Sequence, residues 1–161
     1  MNNLKIKFSV KLINLLYDFY DKEYSLLARE ISWLTGTKVN YDNILNINYL
    51  DVSNVDNMDG MFRNAEKFNQ PLNTWNTYNV KYFDLMFTDS IFNQPIENWN
   101  LSNALSMNSM FYRAEKFNQN ISSWDISNVT NMSYMFSNTS EFNQNIFNWD
   151  FSNVKKMQYI F

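Results

Sequence analysis

The stretch from residue 115 to residue 150 reads EKFNQNISSWDISNVTNMSYMFSNTSEFNQNIFNWD and contains one phrase twice. The tripeptide FNQ begins at Phe117 and again at Phe142, and a tryptophan follows at Trp124 and at Trp149. In both cases the tryptophan follows the phenylalanine by seven residues, and the second phrase lies 25 residues after the first. A fixed period of about this length, roughly 25 residues, is typical of proteins built from stacked structural repeats. The stretch therefore predicts the architecture of most of the chain.

The same period extends from about residue 50 to residue 161. Aromatic positions recur at this interval, and one interval is shorter by a single position, where TDSI replaces the longer RNAEK type of link. Three series share the period: Trp75, Trp99, Trp124 and Trp149; Phe68, Phe92, Phe117 and Phe142; and Phe62, Phe87, Phe111, Phe136 and Phe161. Because each unit would bury its apolar side only by stacking on the next, these series predict a solenoid.

Within a unit, apolar residues recur with helical spacing. Val129, Met132 and Phe136 are separated by three and then four residues, which places them on one stripe of a short helix. Ser127 or Asn128 would cap the N-terminus of this helix with a side-chain oxygen.

The FNQ phrase predicts a second element. A short parallel strand would stack Phe142 on Phe117 and Ile146 on Ile121, and a proline such as Pro71 would limit its length. The fold class is therefore predicted as an α/β repeat. It would be a leucine-rich-repeat-like solenoid of about 25-residue units, each with a short helix and a short parallel strand.

Residues 1–49 do not repeat and are predicted to form an N-terminal helical cap. Leu12, Leu16 and Phe19 have the spacing of an amphipathic helix, and Gly36 follows as a stop. A cap would cover the core of the first unit, and a partner-binding helix pair is the alternative. Residues 50–161 are predicted to hold four repeats and a C-terminal half-repeat, which together with the cap form a single domain.

Composition excludes several kinds of site. The chain has no His, no Cys and two Gly among 161 residues. These absences remove imidazole bases, thiol nucleophiles, the usual zinc ligands and glycine-rich phosphate-binding loops. No acidic, lysine or tyrosine cluster stands apart from the repeat, so we expect neither an enzyme nor a cofactor. The net charge of −3 and the lack of a basic stripe argue against nucleic acid as a partner.

The phrase W-D-I-S-N-V-T-N-M-S-Y-M-F-x5-F-N-Q-N-I, residues 124–146, resembles a known repeat. It is similar to the repeat of the BspA-like leucine-rich-repeat surface proteins, the mycoplasma-type lipoprotein repeat. The resemblance covers residues 50–161. It implies a leucine-rich-repeat-like solenoid that binds other macromolecules, commonly at the cell surface.

The residues themselves predict a different location. The N-terminal region has no signal-peptide cleavage pattern, no window reaches the length of a membrane span, and no cysteine could carry a lipid. We therefore expect a cytoplasmic protein without membrane insertion, whereas the family resemblance alone would suggest the cell surface.

The amides of the FNQ phrases form two rows along the predicted stack. One interpretation is structural, since stacked amides can hydrogen-bond to each other and to turn backbone. The other is that they line a polar surface for a partner. The rows are Asn69, Asn93, Asn118 and Asn143, and Gln70, Gln94, Gln119 and Gln144.

A second candidate surface lies on the exposed side of the predicted helices. Its column of residues becomes aromatic toward the C-terminal end, where Tyr134 and Tyr159, with Tyr112 nearby in sequence, predict an adhesive patch. The column consists of Gly60, Leu85, Ser109, Tyr134 and Tyr159.

The residue after each repeated tryptophan is Asp or Asn. Asp125 and Asp150 share this column with Asn76 and Asn100, which raises the question of a calcium site. Calcium needs six or more oxygen ligands, usually with several carboxylates. Because half of these residues are amides, Asx turns are preferred over a metal site.

Together these features predict a non-enzymatic repeat protein that mediates protein–protein interaction through one solenoid face. Two alternatives stay open: an exported, adhesin-like surface module, and a small inhibitor or decoy of a host or competitor enzyme. No FNQ phrase follows the half-repeat that ends at Phe161. An unpaired edge there would allow a homodimer through the C-terminal edge.

Overall fold

The computed structural model describes residues 47–48, 51–66 and 68–161. We number the units by the repeat: 51–75, 76–99, 100–124, 125–149 and the half-unit 150–161. The predicted N-terminal helical cap lies outside the described residues, apart from residues 47–48.

Neither a helix nor an extended strand occurs in this part of the chain. The predicted α/β solenoid of helix-plus-strand units is therefore wrong. Instead, units built from turns stack on one another in parallel. The regular pairing is one column of isolated parallel bridges: Asn57 with Tyr82, Tyr82 with Ser106, Ser106 with Asn131, and Asn131 with Lys156.

The segment predicted as a helix is a series of tight turns. In the third unit the N–H of Met110 donates to the C=O of Met107 at 3.2 Å, and the N–H of Tyr112 donates to the C=O of Ser109 at 3.1 Å. Ser109 and Arg113 both have φ of 56°, in the left-handed region that a right-handed helix does not contain. The methionines therefore face the core because each tight turn closes after three residues, and not because the segment is helical.

Other N–H groups of this segment bind the following unit. Met107 donates to the C=O of Asn131 at 2.9 Å, and Ser109 donates to the C=O of Ser133 at 2.8 Å. A helix would need the same N–H groups for carbonyls four residues earlier in its own chain. The equivalent N–H groups of the other units also donate toward the C-terminal end, whereas N–H groups just before the bridge residues, such as those of Lys81 and Lys155, donate to the preceding unit.

The left-handed residues recur with the sequence period. Glycine adopts this region without steric cost, whereas other residues pay for the contact of Cβ with the backbone. Two columns result: Gly60, Leu85, Ser109, Tyr134 and Tyr159; and Asn64, Asp89, Arg113 and Asn138.

Ser109→Gly is expected to raise the free energy of unfolding by about 0.5–1 kcal/mol, because it removes the steric cost of a left-handed residue. In a helix the same change would lower stability by roughly a few tenths of a kcal/mol, so the sign distinguishes the two local structures. Urea denaturation measures it, with Ser137→Gly as the control at a residue without positive φ. A destabilising Ser109→Gly would contradict the turn geometry.

The FNQ phrases do not form the predicted parallel strand. Their side-chain amides connect them instead: the N–H of Asn118 donates to Oδ1 of Asn93 at 3.0 Å, and the N–H of Asn143 donates to Oδ1 of Asn118 at 3.1 Å. A side-chain oxygen thus replaces the backbone C=O of a β-ladder. The parallel bridges lie in the segment that was predicted as helical.

Ser127 and Asn128 do not cap a helix. The Asn128 amide donates to the C=O of Ser102 at 2.7 Å, and the Asn153 amide repeats this contact with the C=O of Ser127 at 2.7 Å. Asn79 and Asn103 make the same contact, so this asparagine ties each unit from the second onward to the preceding one.

Columns of aromatic rings form much of the core. The ring of Phe111 lies 5.5 Å from Phe87 and 5.7 Å from Phe136 in the neighbouring units, and 3.8 Å from Phe117 in its own unit. All three interplanar angles are 13° or less, so the rings stack face to face through the units. The predicted Phe series thus coincides with a buried column from Phe62 to Phe136, and Phe161 stacks on the end of this column with 67% of its surface exposed.

The tryptophan column also binds the backbone of the preceding unit. Nε1 of Trp124 donates to the buried C=O of Ile96 at 3.1 Å. Trp75 donates in the same way to the C=O of Ile47 at 3.1 Å, so Ile47 holds the place that Leu72 has one unit later. The repeat register therefore extends at least to Ile47, into the segment predicted as the cap.

Candidate partner-binding surface

The FNQ amides are engaged within the stack. Nε2 of Gln119 donates to Oδ1 of Asn93 at 2.8 Å, and Nε2 of Gln144 donates to Oδ1 of Asn118 at 2.8 Å. These contacts support the structural interpretation, and the role of the rows in partner binding stays a prediction. Asn143 is exposed, and the other seven are half-buried: Asn69, Gln70, Asn93, Gln94, Asn118, Gln119 and Gln144.

Three predicted tyrosines meet on a different side of the units, two of them in one column and the third beside it. The ring of Tyr134 stacks on Tyr159 with centroids 5.2 Å apart and an interplanar angle of 22°. Tyr112 meets Tyr134 edge-on at 6.4 Å and 90°. Tyr134 is 39% exposed and Tyr159 is 70% exposed. The structure thus assembles an aromatic patch at the surface from two positions of the repeat.

The turn geometry explains why this column points outward. Met132 and Met135 are buried, whereas Tyr134 between them is exposed. Ser133 is also buried, and its Oγ donates to Oε1 of Gln158 at 2.7 Å, which ties the fourth unit to the half-unit beside the tyrosine stack. The rings are therefore supported by a side-chain hydrogen bond between their two units.

We call this side of the units the turn face. It comprises the bridge residue of each unit and the residues two and three positions after it. Most of these residues are exposed or half-buried, whereas Gly60, Ser106, Ser109 and Ser133 are buried. Its members are Asn57, Asp59 and Gly60; Tyr82, Asp84 and Leu85; Ser106, Asn108 and Ser109; Asn131, Ser133 and Tyr134; and Lys156, Gln158 and Tyr159.

The turn face is acidic in the first two units. Asp59 accepts the backbone N–H of Asp84 at 2.8 Å and the amide of Asn57 at 3.2 Å, while Asp84 accepts the hydroxyl of Ser106 at 2.5 Å and the N–H of Asn108 at 2.8 Å. Partial burial, followed by the charge of Asp84, raises the pKa of Asp59 despite the hydrogen bonds that it accepts. Two carboxylates are therefore held one above the other.

Nothing in the sequence distinguishes these two carboxylates as site residues. Asp59 and Asp84 are one period apart, so the repeat already placed them in one column. What it did not show is that this column lies beside the bridge residues and the tyrosine column. At the other end of the same face Lys156 is exposed and carries the opposite charge.

The predicted Asx turns are confirmed. Oδ1 of Asp125 accepts the N–H of Ser127 at 3.0 Å, and Oδ1 of Asp150 accepts the N–H of Ser152 at 2.9 Å. Hydrogen bonds from these serines lower the pKa of both carboxyl groups. Within the described residues, His, Cys, Asp and Glu form no group of three or more suited to a metal ion, and no helix is long and apolar enough to cross a membrane.

Comparison with known proteins identifies a family but no characterised relative. Residues 36–104 and 88–161 each match the model of a family described as Mycoplasma protein of unknown function, DUF285. The two matches overlap and together reach from residue 36 to residue 161, which agrees with the internal repetition. No curated protein matches the chain, and neither does any solved structure.

Proposed function

The chain belongs to the family described as Mycoplasma protein of unknown function, DUF285, and we propose that it is a non-enzymatic repeat protein that binds another protein through its turn face. The observation that carries the proposal is the stack of Tyr134 on Tyr159 at the surface, with Tyr112 against its edge. Tyrosine rings provide large contact area with few rotatable bonds, and they are enriched among the residues that dominate binding energy.

The rigidity of the support favours the same role. The N–H of Tyr134 donates to the C=O of Gln158 at 2.9 Å, so backbone hydrogen bonding joins the two units that carry the rings. Binding to a preorganised surface loses less conformational entropy than binding to mobile side chains. Within this family we also propose a closer relationship to the BspA-like leucine-rich-repeat proteins. That resemblance implies binding of macromolecules and therefore agrees with the proposed function.

The FNQ rows are the less favoured surface for this function. Their asparagine oxygens accept backbone N–H groups of the next unit, as Asn69 does from Asn93 at 2.8 Å. A partner that used these groups would compete with the contacts that hold the units together. The tyrosine patch can be covered without such a loss.

The double variant Tyr134→Ala/Tyr159→Ala is expected to weaken binding of the native partner at least tenfold, since truncation of central aromatic anchors typically costs more than about 1 kcal/mol each. The partner is first identified by crosslinking and mass spectrometry on the native source, and the dissociation constant is then measured with purified proteins. Phe147→Ala is the control, because Phe147 is a highly exposed aromatic residue outside the turn face.

Circular dichroism and thermal unfolding of the parent chain and both variants establish that they are folded. Equal affinity of the double variant and the parent chain for every identified partner would refute the turn face as the binding surface. Loss of binding in Phe147→Ala alone would point to a different side of the units.

A further inference from the structure

We propose that the turn face also pairs with the turn face of a second copy of this chain, in antiparallel orientation about a twofold axis. The proposal rests on the proposed function, since it assigns the same surface a specific partner. Its basis is the distribution of charge along the face, which is complementary to itself when one copy is reversed.

The first two units carry the negative end. Asp59 and Asp84 belong to the turn face, and Asp56 lies beside its first bridge residue and is exposed. Lys81, beside the second bridge residue, offsets one of these three charges. Arg63, in the column of Tyr112, is also exposed and offsets a second, so the negative end keeps a surplus of one carboxylate.

The half-unit 150–161 carries the positive end. Lys156 is the last bridge residue, Lys155 precedes it, and both side chains are exposed. Asp150 is engaged in its Asx turn and belongs to another column. In the third unit, Arg113 lies near the face but pairs with Asp89 at 3.1 Å. Charge along the face thus changes sign from the first unit to the last.

A twofold axis through the third unit would use this change of sign. It sets the half-unit of one copy against the first unit of the other, and the fourth unit against the second, and it does so twice. Such an axis sets each column of residues against itself. Lys155 then faces Asp56, and Lys156 faces Asn57, whose amide donates to Asp59. The exposed ring of Tyr134 faces Leu85. Opposite charges across an interface fix the register of association and suppress the parallel arrangement, in which like charges would meet.

The alternative homodimer, through the C-terminal edge, would pair backbone groups instead of charged side chains. Backbone groups of both kinds face that end: the N–H of Phe136 donates to the C=O of Ile160 at 2.7 Å, and the C=O of Thr130 accepts the N–H of Lys155 at 2.9 Å. A charge reversal at Asp56 distinguishes the two homodimers, because only the turn-face dimer brings Asp56 against Lys155.

The expected association is weak. Five units at about 4.8 Å each give a face roughly 20 Å long, so the buried area lies near the lower limit of specific interfaces, about 1,000 Å² in total. Because the face is only about three residues wide, we expect a transient dimer with a dissociation constant of roughly 0.1–1 mM at low salt. Its affinity should fall at high ionic strength, because exposed charge pairs are screened.

Sedimentation velocity of the full chain at increasing concentration tests the proposal. Lys155→Glu/Lys156→Glu is expected to weaken self-association at least tenfold. Adding Asp56→Lys and Asp59→Asn to this variant is expected to restore most of it, because position 56 then carries a positive charge and position 59 no longer repels the new glutamates. Asparagine at position 59 keeps the oxygen that accepts the Asp84 N–H, so the rescue variant retains the inter-unit contact.

The matched control is Lys116→Glu, which reverses an exposed lysine outside the turn face and should change the dissociation constant less than twofold. A chain that stays monomeric throughout, a double lysine variant that dimerises like the parent, or a failure of the charge rescue would each overturn the proposal. The proposed function is tested separately: a monomeric chain whose tyrosines still govern binding of another protein would refute self-pairing alone.

Discussion

Phe111→Ala is expected to lower the free energy of unfolding by about 4 kcal/mol. Phe111 is fully buried, and its ring lies 3.8 Å from Phe117 and within 5.7 Å of Phe87 and Phe136. Truncation removes a phenyl ring between two neighbours that are themselves fixed by the period. Because the hydrogen bonds between units hold the backbone apart at a set spacing, the cavity cannot close fully.

Urea denaturation gives the change in stability, and thermal unfolding should show a midpoint lower by roughly 8–16 °C for a chain of this size. Phe147→Ala is the control, because it makes the same substitution at the surface. Phe147 is 89% exposed, so its truncation should change the free energy of unfolding by less than about 0.5 kcal/mol. If the two variants lost similar stability, the ring column would not be the core of the stack.

Trp124→Phe is expected to lower the free energy of unfolding by about 2–3 kcal/mol. The indole N–H donates to the C=O of Ile96 at 3.1 Å, and both residues are buried. The smaller ring leaves a gap, and the carbonyl of Ile96 loses its donor in a place where water does not replace it. The hydrogen bond that is lost is the contact that links the two units.

The two contributions can be separated by a tryptophan isostere. Replacement of Trp124 by 3-benzothienylalanine keeps the size and shape of the side chain and removes only the N–H, so we expect a loss of about 1–2 kcal/mol. Urea denaturation of the parent, the isostere and Trp124→Phe measures each step. An isostere as stable as the parent chain would show that the indole hydrogen bond contributes nothing to the stack.

Several features could be predicted from the sequence because they depend on residue type and on the period alone. The phenylalanine and tryptophan columns are buried where the spacing placed them, as Phe111 and Trp124 show. The Asx turn at Asp125 follows from the affinity of a short carboxylate for a backbone N–H two residues on. The approach of Tyr134 to Tyr159 follows from their separation of one period.

The local backbone could not be predicted in the same way. A stripe such as Met107, Met110 and Phe111 faces the core from a helix, but it does so equally from successive turns that close after three residues. The turn geometry requires positive φ at Ser109, and a serine in the sequence does not indicate positive φ. The spacing was therefore compatible with two structures, and the helix was the wrong choice.

The candidate partner-binding surface could be predicted from the sequence only in part. Tyr134 and Tyr159 stand out because they are the aromatic members of a column that is otherwise non-aromatic. The sequence alone does not connect Asp59 and Asp84 with Lys156, whereas the bridges show that the three share the turn face. Which columns lie side by side depends on the path of the chain within a unit, and that path was assigned incorrectly.

The sequence by itself determined which residues stack on which, since a fixed period brings equivalent side chains together in any stacked arrangement. Only the tertiary structure decided the backbone between them. The N–H of Met107 can satisfy its hydrogen bond within a helix or with Asn131 of the next unit, and the presence of that neighbour favours the second. Backbone hydrogen bonding between units is a property of the assembled stack, so no single phrase of the repeat could disclose it.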